Sequence, residues 1–226
     1  RILPAHRLVL LPDGIDDTQA AALMLQGMTA EYLIRRTFPV RAGQTVLWHA
    51  AAGGVGLIAC QWLKQIGATV IGTVGSDEKA ALAKAHGCDH TINYRRENFV
   101  ERVRALTDGA GVPVVYDGVG KDTWDGSLEC LSPRGMMVSF GNASGPVPPI
   151  NGAILAQKGS LYLTRPTLMT YTAERSDLLQ SAGALFDAVK KGLKVAVHQT
   201  FALKDAADAH RALEGRETTG STVLLP

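Results

Sequence analysis

The sequence predicts an α/β fold built on a doubly wound parallel sheet. Three observations carry that expectation. Short apolar runs rich in β-branched residues alternate with helix-length stretches through most of the chain. The first such run, Thr45-Val46-Leu47-Trp48, leads into a turn of small residues, Ala51-Ala52-Gly53-Gly54-Val55-Gly56, and then a helix. A second strand–helix unit begins at once with Thr69-Val70-Ile71. Strands separated by crossover helices pair in parallel, and ligands then sit at the carboxyl ends of the strands, near the switch point.

Taken in order, residues 18–36 read as a helix with Ala20, Ala21, Leu23, Met24, Tyr32 and Leu33 as its apolar positions. Residues 46–49 form the first core strand and 56–66 the first crossover helix. The second strand covers 69–74, followed by a helix over 77–86 that Gly87 ends. A short third strand, 90–94, precedes a helix over 97–107 with Phe99, Val100, Val103 and Leu106 on one face. The fourth strand, 113–117, closes on Gly118-Val119-Gly120, and a helix covers 123–131. Strands at 135–141 and 160–164 and a long helix over 176–191 complete the pattern. The Gly- and Pro-rich stretch 142–150 is the longest irregular segment.

Composition narrows the function classes. The chain has 226 residues, 46% hydrophobic and 19% charged, enough to bury a sizeable core. A net charge of +2 with no basic cluster argues against a nucleic-acid surface. No apolar stretch is long enough to cross a bilayer. No basic-then-apolar leader begins the chain, so nothing points to secretion. Cys60, Cys88 and Cys130 are far apart, form no C-x-x-C pair and suit a reducing cytoplasm. The opening Arg1-Ile2-Leu3-Pro4 lacks an initiator Met and suggests a piece of a longer protein.

The turn after the first strand is the main functional signal. Ala51, Gly53 and Gly56 occupy the three positions of a G-x-G-x-x-G pattern, with Ala in the first. Small residues let the backbone approach a pyrophosphate, and the following helix turns its free N–H groups and positive end toward that charge. In NAD-binding units an acidic residue about 20 positions on grips the ribose 2′-hydroxyl. Here the second strand ends at Val74, followed by Gly75-Ser76-Asp77-Glu78-Lys79. Without a carboxylate at that strand end, Ser76 and Lys79 can receive a 2′-phosphate. The competing reading makes Ser76 a helix cap and Lys79 a solvated lysine, and the negative Asp77 and Glu78 lend it weight. Spacing favours the phosphate pocket.

No catalytic residues or metal ligands stand out. There is no G-x-S-x-G elbow, and the six histidines have no metal-ligand spacing. His49 ends a core strand, and Cys60 reads as a small core residue.

Seven motifs in order carry a family resemblance: H-A-A-A-G-G-V-G, G-T-V-G-S-D-E-K, I-N-Y-R, V-V-Y-D-G-V-G, V-S-F-G-N-A-S-G, Q-K-G-S-L-Y-L-T-R-P and R-E-T-T-G-S-T-V-L-L-P. From about Leu8 to Pro226 the chain resembles the NADPH-dependent quinone oxidoreductases, the zinc-free branch of the medium-chain dehydrogenase/reductase superfamily. The resemblance implies a Rossmann domain over residues 18–200. Residues 1–17 would connect to an N-terminal GroES-like catalytic domain, a partly open barrel that this sequence does not supply. Residues 201–226, with a last strand at 222–225, would return toward that domain. It implies NADPH as cofactor and a quinone as substrate. Enones, alkenals or enoyl thioesters are the alternative acceptors, and a non-catalytic NADPH-binding or RNA-associated role is the alternative of another class. Ala52, Gly53, Gly54 and Val55 would face the pyrophosphate. Gly75, Ser76, Lys79 and Tyr94 would hold the adenosine 2′-phosphate end. Thr29, Phe140, Gly141 and Asn142 would line the nicotinamide, and Arg216 would reach a cofactor phosphate. Arg165 would sit at the cofactor mouth or at a subunit edge. The family habit also implies a homodimer through the sixth strand near Leu161 and Thr164, and the missing catalytic domain implies a chain that binds NADPH yet reduces substrate poorly.

Overall fold

The computed structural model describes residues 2–195, 197–215 and 217–226. Among them, six parallel strands form one sheet in the order β3-β2-β1-β4-β5-β6. They are β1 (Thr45–Trp48), β2 (Thr69–Val74), β3 (His90–Asn93), β4 (Val112–Asp117), β5 (Leu131–Ser139) and β6 (Tyr162–Thr164). The order reverses between β1 and β4, which pair directly through Leu47 with Val115 and Trp48 with Tyr116. Two strands leaving a junction in opposite directions open a crevice at their carboxyl ends, and the candidate site lies there.

Both faces of the sheet are covered, so the central strands read as unbroken apolar runs. On one face Val46, Trp48, Val70, Val114, Tyr116 and Val138 are buried together with Leu23 and Leu33, Ile58 and Leu63, and Leu185. These come from α1 (Asp17–Tyr32) and the turn that follows it, α2 (Gly54–Ile66) and α8 (Arg175–Lys190). On the other face Leu47, Ile71, Val115 and Met137 meet Val103, Trp124 and Leu128. Those side chains belong to α4 (Phe99–Leu106) and α5 (Trp124–Cys130). Successive strand residues therefore alternate between two cores, as the pleat requires. Trp48 packs against Tyr116 with ring centroids 4.7 Å apart and the rings tilted by 32°. Truncating a buried aromatic of this size costs about 3–5 kcal/mol.

Helix ends follow local chemistry. Asp16 caps α1 by accepting from Gln19 N, and Gln19 returns a bond to the Asp16 amide. The helix expected to continue to residue 36 instead widens at Tyr32 into a π turn over Leu33–Thr37. The cause lies across the fold. The Tyr116 hydroxyl reaches the Leu33 and Phe38 carbonyls at 3.2 and 3.3 Å, while Pro39 holds Phe38 extended. Ser76 caps α3 (Asp77–Ala85) and Asn98 caps α4. The short helices α6 (Ala153–Gln157) and α7 (Leu168–Tyr171) flank β6.

Most strand boundaries shift by one or two residues from the sequence expectation, and β5 shifts furthest. β5 begins at Leu131 rather than at residue 135, because Leu131 already pairs with Val112 before a register shift. Pro133 and Arg134, the latter at φ 61, make that irregular entry. An additional strand, β7 (Val197–Ala202), was not expected. It pairs in parallel with β8 (Ser221–Leu225) in a separate two-stranded sheet, connected through α9 (Ala206–Glu214). Gly220, just before β8, bonds through its amide to the Ala52 carbonyl at 3.2 Å and so ties this small sheet to the glycine-rich turn.

Candidate cofactor-binding site

A cleft of about 570 Å³ opens over the carboxyl ends of β1, β2 and β4. Its floor is the turn between β1 and α2. Ala50 adopts φ 54, a left-handed conformation uncommon for a residue with a Cβ. That twist lets Gly53 N bond to the Ala50 carbonyl at 3.0 Å. Gly56 sits beneath, where a Cβ would lie 2.5 Å from the Ala50 oxygen and 2.6 Å from that of Ala51. The third glycine position is thus fixed by the backbone of the turn itself. Gly53 is the N-cap of α2, and no side chain caps the helix among the described residues. Its first amides are left for a ligand or for water. An uncapped helix start of small residues, open to a cleft, suits a pyrophosphate.

At the end of β2, Gly75, Ser76, Lys79 and Tyr94 line the same cleft, joined by Arg95. Tyr94 packs over Gly75, its hydroxyl 2.6 Å from where a Cβ would lie. Ser76 does cap α3, accepting from the Lys79 amide at 3.2 Å, and yet it also faces the cleft. The cap reading of Ser76 holds, and the residue lines the cleft as well. The two acidic neighbours each have a partner. Asp77 accepts from Asn93 Nδ2 at 3.0 Å and from Arg96 at 2.6 Å. The Asn93 bond and the Arg96 charge hold its carboxyl below the ordinary range. Hydrogen bonding from Ser76 does the same for Glu78. Arg96 thus offsets the charge of Asp77, while Glu78 stays an ionised carboxylate beside Ser76.

The residues assigned to the nicotinamide half lie elsewhere than on this cleft wall. Phe140 packs on Trp48 with centroids 5.6 Å apart. Gly141 fits against Gly118, whose oxygen would be 2.4 Å from a Cβ. Asn142 is exposed, its carbonyl accepting from Gly145 N at 3.0 Å. Thr29 bonds back within α1 to the Leu25 carbonyl at 2.7 Å. Gly54 and Val55 are the first residues of α2. The Cα of Gly54 faces Gln26, whose Oε1 would be 2.3 Å from a Cβ. Arg165 donates to the Ser139 carbonyl at 3.1 Å. Arg216 lies outside the described residues.

Sequence reasoning missed several cleft residues. Arg95 was legible in I-N-Y-R, directly after Tyr94. His49, Thr73, Val119 and Thr123 also line the cleft. His49 and Thr73 are buried and polar, a combination that sequence alone does not reveal. Among the described residues no three of His, Cys, Asp and Glu come together as a metal site, and no helix is long and apolar enough to cross a membrane.

Comparison with known proteins places this geometry in a family. The model of zinc-binding dehydrogenases matches residues 54–186. A quinone oxidoreductase of Pseudomonas aeruginosa is 57% identical over 226 residues, covering all of this chain and 70% of the relative. A 2-haloacrylate reductase of a Burkholderia species is 50% identical, again over the whole chain and 69% of the relative. Among solved structures, Escherichia coli quinone oxidoreductase complexed with NADPH superposes with a TM-score of 0.94 at 51% identity, over 96% of this chain and 68% of that one. The Pseudomonas syringae quinone oxidoreductase gives a TM-score of 0.97 at 56% identity, over 99% and 69%. The motif resemblance and the measured similarity agree: the chain belongs to the zinc-binding dehydrogenase family and, within it, to the quinone oxidoreductases.

Proposed function

We propose that this chain is the cofactor-binding part of an NADPH-dependent quinone reductase. One observation carries the reading. The cleft brings an uncapped helix start together with Ser76, Lys79, Tyr94 and Arg95, at a strand end that carries no carboxylate. Gly56 supports the reading by fixing the shape of the turn, since a Cβ there would lie 2.5 Å from the Ala50 oxygen. In this reading Ala52, Gly53 and the first amides of α2, those of Gly54 and Val55, face the pyrophosphate. Tyr94 supplies a hydroxyl and Ser76 its backbone amide to the 2′-phosphate, while Lys79 and Arg95 supply charge. Bound NADPH supplies a hydride, two electrons with a proton, to an electron-poor acceptor. The chain's own contribution is orientation. By resemblance Thr29, Phe140, Gly141 and Asn142 stand on the nicotinamide side, with Arg216 toward a phosphate.

The relatives support quinone as acceptor, and the Burkholderia relative supports an activated alkene as a second reading. Nicotinamide absorbance, followed with a benzoquinone and separately with 2-chloroacrylate, decides between them. Faster consumption with the quinone is expected, and faster consumption with the acrylate favours the second reading.

We further propose a homodimer. β6 ends the sheet, and Tyr162 upon it is 60% exposed. An edge strand of this kind is a ready surface for pairing with its twin. A monomeric mass in solution would contradict it. The buried, unpaired cysteines suit the cytoplasm as location.

A further inference from the structure

The second face of the sheet changes character at its carboxyl end. Leu47, Ile71, Val115 and Met137 belong to the apolar core there. Two residues further along the chain the same face carries His49, Thr73, Asp117 and Ser139, all buried. A polar row thus crosses four adjacent strands just where the cleft begins.

Its hydrogen bonds run in one direction. The Asp117 carboxylate accepts from Ser127 Oγ at 2.8 Å and Thr123 Oγ1 at 2.7 Å. It also accepts from the amides of Val119 at 2.8 Å and Gly120 at 3.0 Å. Having given its proton to Asp117, the Ser127 hydroxyl accepts from His49 Nε2–H, 2.9 Å away. His49 Nδ1 is then the acceptor, and Thr73 Oγ1 donates to it at 2.9 Å. The Thr73 oxygen in turn faces the Ala50 amide at 3.4 Å. Ser139 Oγ, at the end of the row, has no hydrogen-bond partner, but from Asp117 through Ser127 to His49 the donor sequence fixes the histidine tautomer. Burial also pushes His49 down from its ordinary value, against the pull of Asp117, which keeps Nδ1 free of a proton.

The two ends of this chain of bonds are the two turns that flank the cleft. Ala50 is the left-handed residue that opens the β1 turn. Val119 and Thr123 line the cleft from the β4 side. We propose that Thr73, His49, Ser127 and Asp117 are positioning residues: they tie the β1 and β4 turns at one separation and so hold the dinucleotide cradle in its binding shape. The proposal rests on the cofactor reading above. Buried polar groups that satisfy only the core would stabilise the fold without tuning affinity, and that difference is testable.

Thr73→Val removes both the proton for Nδ1 and the acceptor for Ala50 at nearly constant volume. We expect it to raise the dissociation constant for NADPH about tenfold. Thr73→Ser should restore affinity, and Ser127→Ala should weaken it from the other end of the tie. Ser181→Ala is the control, because buried Ser181 donates to Glu31 at 2.8 Å away from the cleft. It should lower the melting temperature and leave affinity unchanged. Where a variant fails to fold, nitrogen NMR of the wild-type chain reads the His49 ring directly. The expected signal is the Nε2–H tautomer, shifting when NADPH is added. The proposal is overturned, with the cofactor reading intact, by any of three results: wild-type affinity in folded Thr73→Val, an equal loss in Ser181→Ala, or an Nδ1–H tautomer. A folded wild-type chain that binds neither NADPH nor NADH overturns the cofactor reading and the proposal together.

Discussion

The two sides of the switch point are built differently. Beside β1 and β2, the turn residues and the start of α3 converge on one cleft, and Gly75, Ser76, Lys79, Tyr94 and Arg95 all face it. Beside β5, Phe140 turns onto Trp48, Gly141 presses against Gly118, and Asn142 stands exposed. The adenosine half of the proposed site is therefore assembled by local chain geometry. The nicotinamide half presents backbone and a ring that is already packed. The contrast teaches that grip on the cofactor should reside in the first half, and substitutions can test that division.

The largest effect is expected at the turn. Gly56→Ala drives a Cβ into two carbonyl oxygens that cannot move without opening the turn. It should cost about 1–3 kcal/mol of stability and abolish cofactor binding, read by thermal melting and by titration. Gly141→Ala meets a carbonyl just as closely and should destabilise to a similar degree. It should nevertheless leave the affinity for adenosine 2′,5′-bisphosphate unchanged. Equal loss of that ligand in both variants would erase the distinction between the halves.

A smaller effect is expected at Arg96, whose charge engages Asp77 at 2.6 Å. Arg96→Ala frees that carboxylate beside the phosphate pocket. Exposed pairs contribute about 0.2–1 kcal/mol. NADPH affinity should therefore fall by no more than about fivefold, with NADH affinity unaffected. A drop in both would mean that Arg96 acts on the fold.

Acid should loosen the polar row beneath the cleft. His49 is held below its ordinary value of 6.5 by burial. The unfolded chain then takes up that proton first, so stability is full above about pH 6.5 and declines as pH falls below it. The slope for one such group reaches at most about 1.4 kcal/mol per pH unit. Denaturant titrations across this range should show the decline, and a flat profile would contradict a neutral His49. The smallest change expected is chemical. Cys60 and Cys88 are buried, and the neighbouring Cys88 together with burial pushes the Cys60 thiol up. Both should resist thiol reagents until the chain unfolds.

Much of this was legible in the sequence, for a physical reason. β1, β2 and β4 are covered on both faces, so they appear as continuous apolar runs. The turn and the Ser76–Lys79 spacing are local, and local patterns survive in sequence. β7 escaped notice because its burial alternates and its exposed positions include His198 and Thr200. The π turn after α1 is imposed by Tyr116 from a distant strand. His49 was read as the end of a core strand, and it lies one residue past β1, at the start of the turn. Its partners Thr73 and Ser127 are 24 and 78 residues away, and only the fold brings them together. Asp77 weighed against a phosphate until Asn93 and Arg96 were seen to hold it.

The central claim is that the end of β2 selects NADPH through its 2′-phosphate. A fluorescence titration with NADPH and NADH, on the wild-type chain and on Lys79→Ala, tests it most directly. The account predicts a clear preference for NADPH that Lys79→Ala removes while NADH affinity stays the same. Equal binding of the two cofactors by the wild-type chain would contradict it.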